Sequence, residues 1–234
     1  MRISIIIPTY NEAENIAFLV AYLKSAAGGE LAEIIVADGG SADSTVIKAV
    51  KAGAKAIVSP VKGRAGQMNC GAKNATGDVL YFVHADTRPP LSFYRDISEA
   101  VNNGCNCGSY RFKFDSNKFL LKINSFFTRF NFLFFRGGDQ SIFVTNELFN
   151  KIGGFNDQMM IMEDYDFLEK IWTQGKFKLI PKATQVSARK YDTNSWLRVQ
   201  LANLKIVKMF RKGASQQELV STYRRMLNYR KNAF

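Results

Sequence analysis

Polar and acidic side chains follow three short apolar runs near the start of the chain, each where the run ends. The runs cover residues 3–7, 34–37 and 79–83, and their composition predicts buried strands of a parallel sheet. The side chains that follow them are Pro8, Thr9, Tyr10 and Glu12, then Asp38, and then His84, Ala85 and Asp86. Ligands of open α/β sheets bind at the carboxyl ends of the strands, so these residues predict one ligand site.

The segments between these runs predict helices that alternate with the strands. Helical patterns cover residues 42–52, with Ser41 as the N-cap, and residues 65–75, and a short strand covers residues 55–58. Pro8 has no N–H to donate to a sheet ladder and is therefore expected to end the first strand. The alternation predicts an α/β fold whose sheet is mostly parallel, with right-handed crossovers.

The turn after the first strand argues against a dinucleotide-binding fold of the usual kind. Such a fold carries G-x-G-x-x-G at this turn, whereas the first glycine of this chain is Gly28. The later segment from Gly66 to Lys73 is not a P-loop either, because its lysine does not directly follow Gly71. A dehydrogenase is therefore disfavoured.

Size and charge narrow the class of protein further. The 234 residues are enough for one large α/β domain, and the net charge of +12 favours anionic partners. The sequence contains no apolar stretch of about 18 residues, so no membrane span is predicted. The apolar run after Arg2 is too short for a signal peptide. Three cysteines do not suggest a disulfide framework, so a cytoplasmic protein is expected.

Seven short motifs, which include the strand ends described above, follow one another along the chain. They cover residues 7–12, 38–45, 63–69, 77–80, 84–86, 153–155 and 163–164. In this order and spacing they resemble the family 2 glycosyltransferases of the type A nucleotide-sugar fold (GT-A, Rossmann-like), and most of all a generic bacterial "transferase 2" branch. The resemblance covers about residues 1–190.

The resemblance implies a division of the chain. Residues 1–87 would form the nucleotide-binding half and residues 88–190 the acceptor half of one catalytic domain. Amphipathic helices in residues 191–234 would then pack on that domain.

The resemblance also implies a nucleotide site at the first strand ends. Pro8, Thr9, Tyr10 and Glu12 would form the nucleoside-binding turn, with Glu12 bonding the ribose hydroxyls. Asp38 would read the uracil N–H, which favours a UDP-linked donor. The structural alternatives are a helix-start charge for Glu12 and an Asx-turn for Asp38.

The third strand end resembles the metal-binding motif of the family, with one change. Asp86 stands where the family carboxylate binds a divalent cation, so Mn²⁺ or Mg²⁺ is the implied cofactor. His84, the chain's one histidine, replaces the usual first aspartate, and Ala85 lies between them. His84 could contact a ribose oxygen or approach the metal, or it could be a non-catalytic histidine at a strand end.

Two acidic residues at a predicted helix start stand where inverting members place their general base. By this resemblance Asp164, beside Glu163, would deprotonate the acceptor hydroxyl. The structural alternative is a pair of carboxylates that interact with the helix dipole.

Four further residues are candidates for donor contacts. Arg64 could reach the nucleobase or a phosphate, and Arg189 could stabilise the diphosphate leaving group. Asp139 and Gln140 are candidate sugar contacts. Asp139 and Gln140 could equally form a turn. Arg189 could equally be a solvated surface charge.

Two later segments bear on the acceptor. Phenylalanines crowd residues 119–135 among lysines and arginines, and residues 196–212 predict an amphipathic helix with Leu197, Leu201, Leu204 and Val207 on one face. Packing of that face on the catalytic domain is favoured over membrane contact. Residues 216–230 predict another helix.

The predicted function is therefore a glycosyltransferase of the hexosyltransferase type (EC 2.4). It would move a sugar from a nucleotide-diphospho-sugar, UDP-linked by preference, to an acceptor hydroxyl, with inversion and metal assistance. The acceptor is not identified, and peripheral contact with the inner membrane face or a lipid-linked acceptor stays open. No nucleic acid is expected as a partner, although a non-catalytic nucleotide- or nucleic-acid-binding module remains the alternative.

Overall fold

A computed structural model of the chain describes residues 1–132 and 140–227. The strands are β1 (Ile3–Thr9), β2 (Glu33–Asp38), β3 (Lys55–Val58), β4 (Val79–Phe82), β5 (Thr87–Arg88), β6 (Cys107–Phe114), β7 (Ile142–Thr145) and β8 (Phe177–Val186). The helices are α1 (Ile16–Ala27), α2 (Thr45–Lys51), α3 (Arg64–Lys73), α4 (Phe93–Asn102), α5 (Phe119–Phe127), α6 (Asn146–Lys151), α7 (Glu163–Gln174), α8 (Trp196–Arg211) and α9 (Gln216–Met226). Within the described ranges, no helix is long and apolar enough to cross a membrane.

The eight strands form one mixed sheet in the order β3-β2-β1-β4-β7-β6-β8-β5. The first four strands in this order are parallel, as the alternating pattern predicts. β7 runs antiparallel to both of its neighbours, β4 and β6. Its first residue, Ile142, pairs with Phe82 on one side and with Ser109 on the other. The carboxyl end of β4 and the later half of β6 therefore lie toward the same edge of the sheet.

The core lies on both faces of β1. Ile3, Ile5 and Ile7 pack on one face with residues of α1 and α4. Ile6 packs on the other face with residues of α3 and α7. All seven residues of β1 are buried, which explains why the strand is apolar at successive positions rather than at alternate ones.

Two predicted boundaries at this edge are wrong. β1 continues through Pro8 to Thr9, because Pro8 lies beyond Ile6–Phe82, the last pair of β1 with β4, and its missing N–H breaks no ladder bond there. Ser41 is not an N-cap, because α2 begins at Thr45 after Ser44.

The predicted packing face of α8 is also wrong. Leu197, Leu201 and Leu204 are exposed, and the helix instead buries Val199, Ala202 and Ile206. Both sets repeat at helical spacing, so the sequence alone favoured the larger side chains. The smaller set is buried because Ile206 packs against α9, and Val199 and Ala202 pack beside Leu227.

Candidate active site

Most of the predicted site residues that the structure describes lie at the sheet edge where β1, β2 and β4 end. The first turns of α3 and α7 reach the same edge, and so does a short 3₁₀ helix, Arg189–Tyr191, that follows β8. The contacts described below connect these segments across as many as 177 residues of sequence.

Asp38 builds the turn that follows β2. One carboxylate oxygen accepts hydrogen bonds from the backbone N–H groups of Gly40 and Ser41, at 2.9 and 2.7 Å. The other accepts from the Ser41 hydroxyl at 2.5 Å and from the Thr9 hydroxyl at 3.1 Å. Asp38 is buried, and both of its oxygens are engaged in the turn. The uracil contact stays a prediction.

Gln67 joins the ends of β1 and β2 and was not given a role from the sequence. Its side-chain amide donates to the carbonyl oxygens of Thr9 and Ala37, at 2.6 and 2.8 Å. A Cβ on Gly39 would lie 3.0 Å from the same amide nitrogen, so Gly39 makes room for it. A polar residue in the first turn of a helix is a weak signal, because only the fold shows that it is buried.

Arg189 joins two carboxylates of the site. Its Nη2 lies 2.7 Å from an oxygen of Asp86 and 3.5 Å from an oxygen of Glu12. Glu12 is buried, and its other oxygen accepts from Asn15 at 2.8 Å. The guanidinium therefore offsets the repulsion between two carboxylates brought together from β1 and β4.

The first two residues of α7 have different surroundings. Asp164 is partly exposed, and an oxygen of its carboxylate lies 3.8 Å from Nε2 of His84. Glu163 points inward, is 1% exposed and lies 2.6 Å from Nε of Arg64, the first residue of α3. Burial raises the pKa of Glu163, the charge of Arg64 opposes that effect, and the neighbouring Asp164 adds to it.

The segment that leads into α7 is fixed by the C-terminal helices. The side-chain oxygen of Gln216 accepts from the backbone N–H groups of Met160 and Ile161, at 2.9 and 3.2 Å. Met162 then adopts a left-handed conformation with φ of 68°. The position of Asp164 therefore depends on α9, which nothing in the sequence motifs indicated.

A comparison with models of protein families shows to which family the chain belongs. The model of Glycosyl transferase family 2 matches residues 4–157, which is more than half of the chain. The chain belongs to glycosyl transferase family 2. The predicted family is confirmed, and the family is one of glycosyl transferases.

Two curated relatives of the family 2 chain match part of it. The dolichol-phosphate mannosyltransferase of Pyrococcus furiosus is 37% identical over 109 residues, which cover 44% of this chain and 31% of that protein. The glucosyl-3-phosphoglycerate synthase of Mycolicibacterium smegmatis is 35% identical over 96 residues, which cover 38% and 32%. The matched segment thus spans about a third of the length of either relative.

Solved structures of other glycosyltransferases share the fold. A mannosyltransferase from Pyrobaculum calidifontis, in complex with GDP-Man and Mn²⁺, has a TM-score of 0.66 at 16% identity, covering 96% of this chain and 69% of that one. The glucosyl-3-phosphoglycerate synthase of Mycobacterium tuberculosis, with Mn²⁺, UDP-Glc and phosphoglyceric acid, has a TM-score of 0.61 at 16% identity, covering 96% and 79%. These likenesses confirm the predicted GT-A fold.

The residues of this family 2 site fit a divalent cation that takes one ligand from the protein and others from a substrate. In residues 1–132 and 140–227, no group of three His, Cys, Asp or Glu side chains could hold a metal by itself. Asp86 is partly exposed at the site and offers a carboxylate, which suits Mn²⁺ or Mg²⁺ when phosphate oxygens complete the coordination.

The remaining predicted residues differ in their exposure to solvent. Tyr10 is exposed at the site edge, whereas Pro8, Thr9 and Ala85 are buried. Gln140 is also buried, and its side-chain oxygen accepts from the Ser109 hydroxyl at 3.4 Å. Asp139 lies outside the described residues.

Proposed function

We propose that this family 2 protein transfers a sugar from a nucleotide-diphospho-sugar to an acceptor hydroxyl, with inversion at the anomeric carbon. The observation that carries the proposal is the contact between two motifs 80 residues apart. The carboxylate of Asp164, at the start of α7, lies 3.8 Å from the imidazole of His84, at the end of β4. A base and the residues proposed to hold the diphosphate thus lie at one edge of the sheet.

The proposed reaction is a single displacement. The acceptor oxygen forms a bond to the anomeric carbon, while the bond from that carbon to the diphosphate oxygen breaks. Asp164 takes the proton of the acceptor hydroxyl, and the nucleoside diphosphate leaves with its bonding electrons. Asp164 suits this role because, of the two carboxylates that open α7, it is the partly exposed one, whereas Glu163 is buried against Arg64.

The leaving diphosphate needs positive charge close to where its negative charge develops. Arg189 is placed to supply it, because its guanidinium already lies at Asp86. A divalent cation held by Asp86 and the phosphates would act as a Lewis acid on the oxygens of the leaving diphosphate. Mn²⁺ in the complexes of the two solved glycosyltransferases supports this cofactor.

The donor is proposed to be UDP-linked. The synthase structure holds UDP-Glc, whereas the mannosyltransferase structure holds GDP-Man, so the fold alone accepts either nucleotide. The support for UDP is Asp38 at the end of β2, where its carboxylate would accept the uracil N–H. Because both oxygens of Asp38 now bond the turn, uracil binding would require one of these bonds to be shared or exchanged.

The nucleotide and the metal are tested by calorimetric titration of UDP, GDP and CDP, with and without Mn²⁺. We expect UDP to bind most tightly, Mn²⁺ to strengthen its binding, and Asp86→Asn to abolish that Mn²⁺ effect. If no nucleotide binds under either condition, the transferase proposal is wrong. If GDP binds more tightly than UDP, only the assignment of the donor fails.

The base is tested by UDP release from a panel of UDP-sugars. Asp164→Asn is expected to lower turnover at least about 100-fold and to change UDP affinity less than about twofold. Asp166→Asn is the matched control, because Asp166 is on the same turn but pairs with Lys170 at 2.9 Å. Full turnover in Asp164→Asn would refute the base, and UDP binding without turnover on any sugar would favour the non-catalytic alternative.

A further inference from the structure

Helix α5 presents apolar side chains to solvent on the side opposite its buried residues. Phe119 is 73% exposed, and Leu120 and Phe126 are also exposed. Phe119 and Phe126 are seven residues apart and so share one face of the helix. The buried positions are Leu121 on the helix and Thr128 just after it, both on the opposite side. The outward side of α5 is thus its more apolar side.

Helix α8 has the same inverted arrangement. Its buried side consists of Val199, Ala202 and Ile206. The opposite side exposes Leu197, Leu201 and Leu204, each by more than half of its surface. A helix that only packed on the domain would turn these larger side chains inward.

Helices α5 and α8 contact each other at the start of α8. Nε1 of Trp196, the first residue of α8, donates to the side-chain oxygen of Asn124 on α5 at 3.2 Å. Asn124 lies one helical turn after Leu120, and Trp196 directly precedes Leu197. This hydrogen bond joins the two helices whose exposed apolar residues are grouped here. The α5–α8 surface consists of Phe119, Leu120, Phe126, Leu197, Leu201 and Leu204.

The charged residues of α5 and α8 have one sign. Neither helix contains an aspartate or a glutamate. Basic residues lie on both helices and at the ends of α5: Lys118, Lys122, Arg129, Arg198, Lys205, Lys208 and Arg211. Exposed apolar side chains bordered by lysine and arginine match a bilayer interface that carries anionic headgroups. A second copy of this surface is a poor partner, because the two sets of cations would repel.

We propose that the α5–α8 surface docks the protein on an anionic lipid bilayer. The apolar side chains would enter the boundary between headgroups and acyl chains, and the basic residues would pair with the headgroups. This proposal does not depend on the transfer reaction. It places the active site near the membrane surface, because Lys118 at the start of α5 donates to the Tyr191 carbonyl at 3.3 Å, in the 3₁₀ helix that carries Arg189.

The apolar part is tested by vesicle co-sedimentation. The vesicles contain phosphatidylcholine alone, or phosphatidylcholine and phosphatidylglycerol in equal parts. The double variant Phe119→Ser/Leu201→Ser is expected to bind the anionic vesicles at least about tenfold more weakly than the unchanged protein. The control Ile47→Ser/Leu91→Ser removes two equally exposed apolar residues from other surfaces and is expected to bind as the unchanged protein does.

The electrostatic part is tested in the same assay. Lys122→Gln/Lys205→Gln is expected to weaken binding about fivefold for each charge removed. Lys51→Gln/Lys73→Gln removes the same charge from α2 and α3 and is expected to have a smaller effect. All four changed residues are exposed, so the variants are expected to fold.

Three results would overturn the proposal. The unchanged protein does not bind anionic vesicles, or it binds both kinds of vesicle equally, or the apolar variant binds as tightly as its control. Sedimentation equilibrium without lipid separates a further possibility. If the unchanged protein is a dimer that the apolar variant dissociates, the α5–α8 surface joins two copies of the chain and the membrane assignment is wrong.

Discussion

The ion pair between Glu163 and Arg64 predicts unequal effects of removing its two partners. Glu163 is 1% exposed, whereas the Arg64 side chain is 43% exposed. Removing one partner of a buried pair costs about 3–5 kcal/mol, because the other charge stays buried without compensation. Exposure of Arg64 weakens the interaction, so we expect Arg64→Gln to lower the free energy of unfolding by about 2 kcal/mol at pH 8.

Glu163→Gln removes the charge that is costly to bury. Because burial raises the pKa of Glu163, the folded state binds more protons than the unfolded state at pH values between the ordinary pKa of a glutamate and the raised one. The contribution of Glu163 to stability therefore falls as pH rises through the raised pKa. Glutamine cannot ionise, so Glu163→Gln gains stability relative to the unchanged protein over this range, by about 1.4 kcal/mol for each pH unit that separates the folded and unfolded pKa values.

The assay is urea unfolding at constant ionic strength from pH 5 to pH 8, for both single variants, the double variant and the unchanged protein. At pH 8 we expect Glu163→Gln to be within about 1 kcal/mol of the unchanged protein and the double variant to recover most of the Arg64→Gln loss. Lys170→Gln is the control, because its pair with Asp166 on the same helix is worth about 0.5 kcal/mol or less. A greater loss in Glu163→Gln than in Arg64→Gln at pH 8 would refute the dominance of desolvation.

Three further predictions concern the packing that supports the site. Gly71→Ala is expected to destabilise the fold by about 1–2 kcal/mol in urea, because its Cβ would overlap Cγ2 of buried Ile6; unchanged stability would show that α3 can shift. Ser215→Ala breaks a capping box with Glu218 and is expected to lower the free energy of unfolding by about 1 kcal/mol; a loss below about 0.3 kcal/mol would show that α9 is held by packing alone. Gln216→Ala removes the acceptor for two backbone N–H groups before α7 and is expected to lower turnover on UDP-sugars more than UDP affinity; an equal loss of both would mean that Gln216 supports the nucleotide site as well.

The sequence was sufficient for the sheet edge but not for the pairing of charges across it. Each polar strand end is a local pattern, and parallel strands bring such ends together, so the neighbourhood of Thr9 and Asp38 follows from the spacing. The contact of Arg189 with Asp86 joins residues 103 positions apart. It depends on where β8 and the 3₁₀ helix lie, which no local pattern specifies.

The orientation of helices was the second property that the sequence did not determine. Glu163 and Asp164 are adjacent carboxylates at a helix start, and only the rotation of α7 makes one buried and the other partly exposed. In α8, two sets of apolar residues have the same helical period. The set that is buried is the one that packs against α9 and Leu227. Periodicity identifies a helix with apolar faces but does not say which face is buried when there are two.

The C-terminal helices link the proposed base to the proposed membrane surface. α9 fixes the segment before Asp164 through Gln216, and α9 is itself packed against the buried side of α8. The opposite side of α8 contributes three exposed leucines to the α5–α8 surface. A force that tilts α8 at a bilayer would therefore reach α7 through two packed helices. If docking has this effect, anionic vesicles should change turnover of the unchanged protein, and Gln216→Ala should reduce that change while leaving vesicle binding intact.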